Sequence, residues 1–263
     1  MESVSGAGVV VTGGGSGIGA ALARRFATEG ARVVVNDIDA ATAAAVATAC
    51  GATAVPGDAA TEGGVAALIG VAREVLGEID LFCANAGIAR GGGEQASDAD
   101  WNASWQVNVM AHVRAARLLL PAWLERGSGH LICTISAAGL LTMLGSAPYS
   151  VTKHAALSFA EWLAATYAHR GVTVQAICPQ GVRTPMMTGA TAAERLILAD
   201  SAITPEDVAD AAMAGIAGGG FLILPHPEVA QMYAGRAGDP DRWLRGMNKL
   251  QRRIEAASRG PAA

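Results

Sequence analysis

With 263 residues, 51% of them apolar and 16% charged, the chain has the length of one large α/β unit and the composition of a compact globule, which excludes a disordered protein. Its net charge of −4 comes without any long basic run, so nucleic acid is not an expected partner. The start "MESVSGAGVVV" lacks the basic region and cleavage site of a secretory signal, and the mildly apolar stretch 131–149 is broken by Thr, Ser, Gly and Pro, so neither export nor a membrane span is expected and the implied setting is cytoplasmic.

Seven short runs rich in β-branched or apolar residues punctuate the chain: "GVVVTG" (8–13), "RVVVND" (32–37), "ATAVPG" (52–57), "DLFCANA" (80–86), "HLICTIS" (130–136), "TVQAICP" (173–179) and "FLILP" (221–225). Their apolar residues are continuous rather than alternating, which implies strands covered on both faces, and longer alanine-rich segments lie between them. The pattern predicts a single-domain, doubly wound α/β fold, Rossmann-like, with a parallel sheet of about seven strands over residues 1–225.

The first run leads into "TGGGSGIG" (12–19), which opens a helix through "AALARRFATEG". Glycines let the backbone approach a pyrophosphate, and the helix start offers free N–H groups and a positive dipole end, so Gly13, Ser16, Gly17, Ile18 and Gly19 are expected to bind a dinucleotide cofactor. The second run ends at Asp37, whose carboxylate can accept both adenosine ribose hydroxyls and would repel a 2′-phosphate; this favours NAD over NADP.

Cys50, Cys83, Cys133 and Cys178 show no C-x-x-C spacing, and three of them fall in strand-like runs, the pattern of buried free thiols rather than of a metal site or disulfides. Ser97 with Asp100, and Thr204-Pro205 with Asp207, mark helix starts.

In "YSVTK" (149–153), Tyr149 and Lys153 stand four residues apart and share a helix face. Lowering a phenol pKa from about 10 to about 7.5 takes roughly 3.5 kcal/mol. A cation about 4 Å away, at an effective dielectric of about 20, supplies roughly 4 kcal/mol, so the lysine can make the tyrosine a usable acid and base. Beyond the last strand run, Asp239-Pro240 is expected to cap a helix in which Trp243, Met247, Leu250 and Ile254 form an apolar stripe. Residues 226–263 are therefore expected to form a helical extension that packs on the same domain, docks on a sister subunit or lids the pocket.

Together these features resemble the short-chain dehydrogenase/reductase family over about residues 8–190. The glycine spacing matches that family's T-G-x-x-x-G-x-G turn, "NAG" (85–87) matches its motif after the fourth strand, and Asn108, Ser136, Tyr149 and Lys153 fall in the order of its Asn-Ser-Tyr-Lys tetrad. The resemblance implies catalytic roles for these four. Tyr149 would be the general acid/base and Ser136 the hydrogen-bond donor to the substrate oxygen. Lys153 would tune the tyrosine and bind the nicotinamide ribose, and Asn108 would hold a water that carries the proton onward. It also extends the cofactor-binding set to Asp58, Asn85, Gly87, Tyr149, Lys153, Val182 and Thr184, and implies a homo-oligomer, dimer or tetramer, formed through helices 98–126 and 149–170.

Two stretches depart from the family pattern. "CPQGVRTPM" (178–186) has Gln180 where the family usually has glycine, and "HPEV" (226–229) with its tail replaces the usual glycine-rich ending. Residues beside the tetrad, Ala138, Leu140, Met143, Gln180, Met186 and Met187, with Ile88, are expected to line a largely apolar substrate pocket, with Arg90 and Arg183 solvated outside it. The implied activity is hydride transfer between NAD and a neutral, hydrophobic secondary alcohol or ketone, with no metal. A catalytically silent NAD-binding sensor or scaffold is the alternative from another class, and the presence of serine, tyrosine and lysine weighs against it. An NAD-dependent epimerase is the other, and the chain has no room for a longer substrate domain. His112, His130, His154 and His169 have no motif partner and read as surface or structural.

Overall fold

Val9, Val10 and Val11 are completely excluded from solvent, although successive side chains of a strand point to opposite faces. Both faces of β1 (Gly8–Thr12) are therefore covered. The computed structural model describes residues 3–188, 198 and 201–258 of the chain. Within them β1 pairs in parallel with β2 (Arg32–Asn36) and β4 (Leu81–Ala84) at the centre of a seven-stranded sheet. The order is β3-β2-β1-β4-β5-β6-β7, where β3 is Thr53–Ala54, β5 Gly129–Thr134, β6 Val172–Ile177 and β7 Leu222–Ile223.

Two of the expected strands shrink to two residues each, and both are edge strands. One residue beyond each comes a proline, Pro56 or Pro225, which has no N–H to continue a ladder. Beyond β3, the Asn36 side-chain amide takes over the pairing by donating to the Val55 and Gly57 carbonyls at 2.9 and 3.0 Å.

Helices α3 (Glu62–Leu76), α5 (Ala111–Arg126) and α7 (Ala147–Tyr167) cover one face, where Phe82, Leu119, Trp123 and Leu131 anchor the core. On the other face lie α1 (Gly17–Thr28), α2 (Ala40–Cys50) and a helix from Pro205 to Gly218, here α9, packed over Val9, Val11 and Phe26. Both expected helix starts form. Ser97 Oγ accepts from Asp100 N at 3.2 Å, and Thr204 and Asp207 cap each other reciprocally.

The expected helix 98–126 is not uniform. It runs as α4 (Asp98–Trp105), widens into a π-helical turn at Gln106–Met110, and continues as α5. Shorter helices are α6 (Ala138–Leu141) and α8 (Pro185–Thr188), and the chain closes with α10 (Glu228–Gly238) and α11 (Pro240–Ser258). Residues 189–190 of the expected family match, and 259–263 of the expected extension, lie outside the described residues. No described helix is long and apolar enough to cross a membrane, and no group of three metal-ligating side chains occurs among the described residues.

Cys83, Cys133 and Cys178 are fully buried free thiols. Burial raises all three, Cys133 and Cys178 to about 12, so none is a ready thiolate. The order of strands reverses between β1 and β4, and in such sheets ligands bind outside the carboxyl ends at that reversal.

Candidate active site

The strand ends at this reversal are tied together by two side chains. Thr12 Oγ1 accepts from Asn85 N and Ala86 N at 3.0 and 3.1 Å. Asn85 Nδ2 donates to Thr12 O at 3.0 Å, and Asn85 Oδ1 accepts from Thr134 Oγ1 at 3.0 Å. The ends of β1, β4 and β5 thus meet at Asn85, beneath a cavity of about 760 Å³, within the range of roughly 300–1,000 Å³ usual for ligand sites.

At one end of the cavity the chain leaves β1 through the glycine turn. Gly17 has φ +50°, and a Cβ on Gly19 would stand 2.1 Å from Gly13 O, so the turn closes only with glycine at both positions. Ser16 begins α1 without capping it through its side chain, which leaves the first N–H groups of the helix open to an anion. Asp37 braces the turn, accepting from Gly15 N at 2.9 Å, and its half-buried carboxylate borders the cavity with Asp58 alongside. Among the described lining residues Lys153 is the only cation. An uncapped helix start, a glycine cradle and an acid facing the same space fit a dinucleotide without a 2′-phosphate.

At the other end α7 presents Tyr149 and Lys153 on one face. Lys153 Nζ lies 5.6 Å from the Tyr149 ring centroid and donates to Thr134 O at 2.9 Å. The lysine is 3% exposed, and burial lowers its pKa from 10.5 to about 8. Ser136 follows β5 with φ +128°, a conformation that costs a non-glycine residue of order 1–3 kcal/mol. Its Oγ accepts from Ala138 N at 3.1 Å, so the strained turn fixes the hydroxyl. Serine, tyrosine and lysine line one cavity with the glycine turn, Asp58, Asn85, Gly87, Val182 and Thr184.

The tetrad asparagine does not reach the cavity. Asn108 is fully buried in the π-helical turn, where its Oδ1 accepts from Ile88 N at 2.9 Å. Its Nδ2 donates to Ile88 O at 2.9 Å and to Thr152 Oγ1 at 3.1 Å. With the amide engaged in this way, Asn108 ties the Gly87–Ile88 segment to α7. It remains Lys153's neighbour, since a Cβ on Gly87 would lie 3.4 Å from both Asn108 Oδ1 and Lys153 Nζ.

Of the expected pocket residues, Ala138, Met143, Gln180, Met186, Met187 and Ile88 line the cavity and Leu140 does not. Residues three apart share a helix face, so in the single turn of α6 Ala138 is joined by Leu141, and Leu140 turns into the core at 1% exposure. Arg90 pairs with Asp100 at the surface (3.7 Å), Arg183 donates to Ala202 O, and neither lines the cavity. His112 and His130 are core residues; burial lowers their pKa values to about 3 and about 4.

The two departures from the family pattern touch each other. Buried His226 sits 3.0 Å from Ser201 O through Nε2, so that nitrogen donates and Nδ1 is free to accept from Gln180 N at 3.2 Å. Gln180 Nε2 then donates to Glu228 Oε1 at 3.3 Å. Sequence reasoning missed His226, because only the fold brings residues 46 apart together. It also missed Met232, while Trp243, Met247 and Leu250 of the expected stripe line the cavity in this same chain.

A profile of the family described as short chain dehydrogenase matches residues 7–195. A 1-deoxy-11-beta-hydroxypentalenate dehydrogenase of Streptomyces exfoliatus is 42% identical over 209 residues, 76% of this chain and 76% of its own. A 2,5-dichloro-2,5-cyclohexadiene-1,4-diol dehydrogenase of Sphingobium indicum is 35% identical over 192 residues, 71% of this chain and 77% of its own. A short chain dehydrogenase/reductase of Burkholderia phymatum, crystallised in complex with NAD, superposes with a TM-score of 0.84 at 30% identity, over 92% of this chain and 96% of that one.

The buried lysine makes stability depend on pH in a predictable direction. Its folded value of about 8 lies below its ordinary 10.5, so between these pH values the unfolded chain binds more protons and stability rises with pH; below about 8 both states are protonated and the curve is flat. The rise amounts to about 3 kcal/mol. The buried thiols, whose pKa values are raised, pull stability down with rising pH in both proteins, so the lysine shows in the difference between them: by chemical denaturation Lys153→Met should be the more stable protein at pH 7, and its advantage over the wild type should shrink toward pH 10.5. A wild-type curve parallel to that of the methionine variant contradicts the buried-cation description.

Proposed function

The chain belongs to the short-chain dehydrogenase/reductase family, and on that premise we propose that it is an NAD-dependent alcohol dehydrogenase and ketone reductase acting on a neutral, largely hydrophobic secondary alcohol. The observation that carries this reading is the convergence of Ser136, Tyr149 and Lys153 on the cavity that the glycine turn and Asp37 also border. When bound, the nicotinamide supplies the acceptor, or in reverse the donor, of the hydride at the alcohol carbon.

The chain's own residues handle the proton and the charge. Tyr149 takes the hydroxyl proton at its phenolic oxygen during oxidation and returns it during reduction. Ser136 Oγ, fixed by its strained turn, donates to the substrate oxygen as charge develops there. The Lys153 ammonium favours the deprotonated tyrosine and hydrogen-bonds the nicotinamide ribose. Asn108 acts one step back, keeping Gly87–Ile88 and α7 in register around Lys153. Gly13, Ser16, Gly17, Ile18 and Gly19 hold the pyrophosphate, and Asp37 the adenosine ribose. Asp58, Asn85, Gly87, Val182 and Thr184 complete the cofactor contacts.

Two facts support NAD over NADP. No described residue lining the cavity, apart from Lys153, is a cation that could receive a 2′-phosphate, and the Burkholderia phymatum relative was crystallised with NAD. The names of the Streptomyces and Sphingobium relatives denote alcohols borne on rings, and an apolar pocket with adaptable methionines suits such a body. The Streptomyces substrate name also denotes a carboxylate. Here Lys153, already engaged, is the one cation among the described lining residues, so we infer an uncharged substrate. We also infer a cytoplasmic homo-oligomer, dimer or tetramer, formed through the α4 and α7 faces that leave Trp105, Val151 and Trp162 exposed by 41%, 48% and 56%.

Two measurements check this reading. Tyr149→Phe keeps the ring and removes the proton carrier, so NADH formation from secondary alcohols, followed at 340 nm, should fall by roughly two to four orders of magnitude with little change in NAD affinity. Retention of more than about a tenth of wild-type turnover sinks the role. A partly buried like-charge contact at Asp37 costs roughly 2–4 kcal/mol, so catalytic efficiency should favour NAD over NADP by about 30- to 1000-fold. Equal efficiencies with the two cofactors contradict the assignment.

A further inference from the structure

On α11 the apolar residues Trp243, Met247, Leu250 and Ile254 share one face, while Arg242, Arg245, Lys249, Arg252 and Arg253 are exposed. Ile254 is buried, but the other three are only half-buried. α11 runs beside α10, and Trp243 also packs against the domain's main hydrophobic core. Trp243, Met247 and Leu250 border the active-site cavity as well, together with Met232 of α10. Their remaining apolar surface faces the contents of the pocket.

The hairpin is held at defined points. Asp239 Oδ1 accepts from Arg242 N at 2.9 Å and so fixes the turn between the two helices. Arg236 Nη1 donates to Leu140 O and stands 3.0 Å from His154 Nε2. His154 Nδ1 is 2.9 Å from Ser150 O, and since a carbonyl can only accept, Nδ1 carries the proton and Nε2 accepts from the arginine. The guanidinium thus joins α10 both to α6, whose other face lines the pocket, and to α7 at the residue after Lys153. At the start of α10 the contacts of His226 and Glu228 with Gln180 add a second tether, at the pocket rim.

We propose that the α10–α11 hairpin is the size-selecting wall of the substrate pocket. In it Trp243, Met247 and Leu250 grip the distal rings of a multi-ring alcohol, and Arg236 is the positioning residue that keeps this wall in register with the catalytic helix. The proposal rests on the reading of the site as a dehydrogenase for hydrophobic alcohols, and it narrows the substrate to one that extends from Tyr149 as far as α11. Rigid fused rings lose little conformational freedom on binding, and the flexible methionine conforms to their outline.

The test compares cyclohexanol with a tetracyclic 3-hydroxysteroid at saturating NAD. In Trp243→Ala and Leu250→Ala the ratio of kcat/KM for the tetracycle to that for cyclohexanol should fall at least tenfold, mainly through the KM of the tetracycle; a ratio within twofold of wild type overturns the proposal. Arg236→Met should lower the same ratio, and Arg236→Lys, which can still donate to Leu140 O, should recover part of it. A second readout does not need turnover. Hydrogen exchange over residues 240–257 of the NAD-loaded protein should slow on adding the tetracyclic 3-ketone and not on adding cyclohexanone. If the wild type oxidises neither alcohol, the dehydrogenase reading fails, and the exchange experiment alone decides the wall: protection by the tetracycle sustains it, and its absence overturns it.

Discussion

A cation held in the protein interior against a backbone carbonyl is the constraint on which the rest of this site depends. Lys153 is 3% exposed and donates to Thr134 O, and burying a charge in this way is costly. A structure that only needed stability would place an apolar side chain there. The depression of its pKa to about 8 measures that cost and also leaves the lysine mostly charged at neutral pH, when a neighbouring phenol can make use of the charge.

The fold's irregular features gather around this lysine. β5 supplies the Thr134 carbonyl at its carboxyl end, and the chain then enters the strained φ of Ser136. The π-helical turn seats Asn108 so that its amide spans Ile88 and Thr152, bracing the segment packed against the lysine. Asn85 joins three strand ends below. Strain and wide helical turns tend to collect where geometry serves chemistry. Here they position a tyrosine, a serine and an ammonium around one volume, with the glycine turn and Asp37 at its far end.

What could be read from the sequence was what short-range physics encodes. Continuous apolar runs implied strands covered on both faces, the glycine turn after the first run announced a helix start open to phosphate, and the four-residue spacing of Tyr149 and Lys153 placed them on one face. Features decided by tertiary packing could not be read. The phase of a four-residue helix chooses Leu141 over Leu140 for the pocket, and Asn108, in the widened turn, is not among the residues that line the cavity. Arg236 meets Leu140 across 96 residues and His226 meets Gln180 across 46. The stripe on α11 was visible as periodicity, but what it faces depends on those distant tethers.

In the proposed reaction the Lys153 charge sets the proton affinity of the acid/base Tyr149. This is tested most directly by the pH profile of kcat/KM for alcohol oxidation at saturating NAD, compared between the wild type and Lys153→Met. The account predicts an acid limb that reaches its plateau near neutral pH in the wild type and shifts upward by at least one pH unit when the charge is removed. Acid limbs with the same midpoint in both proteins would contradict it.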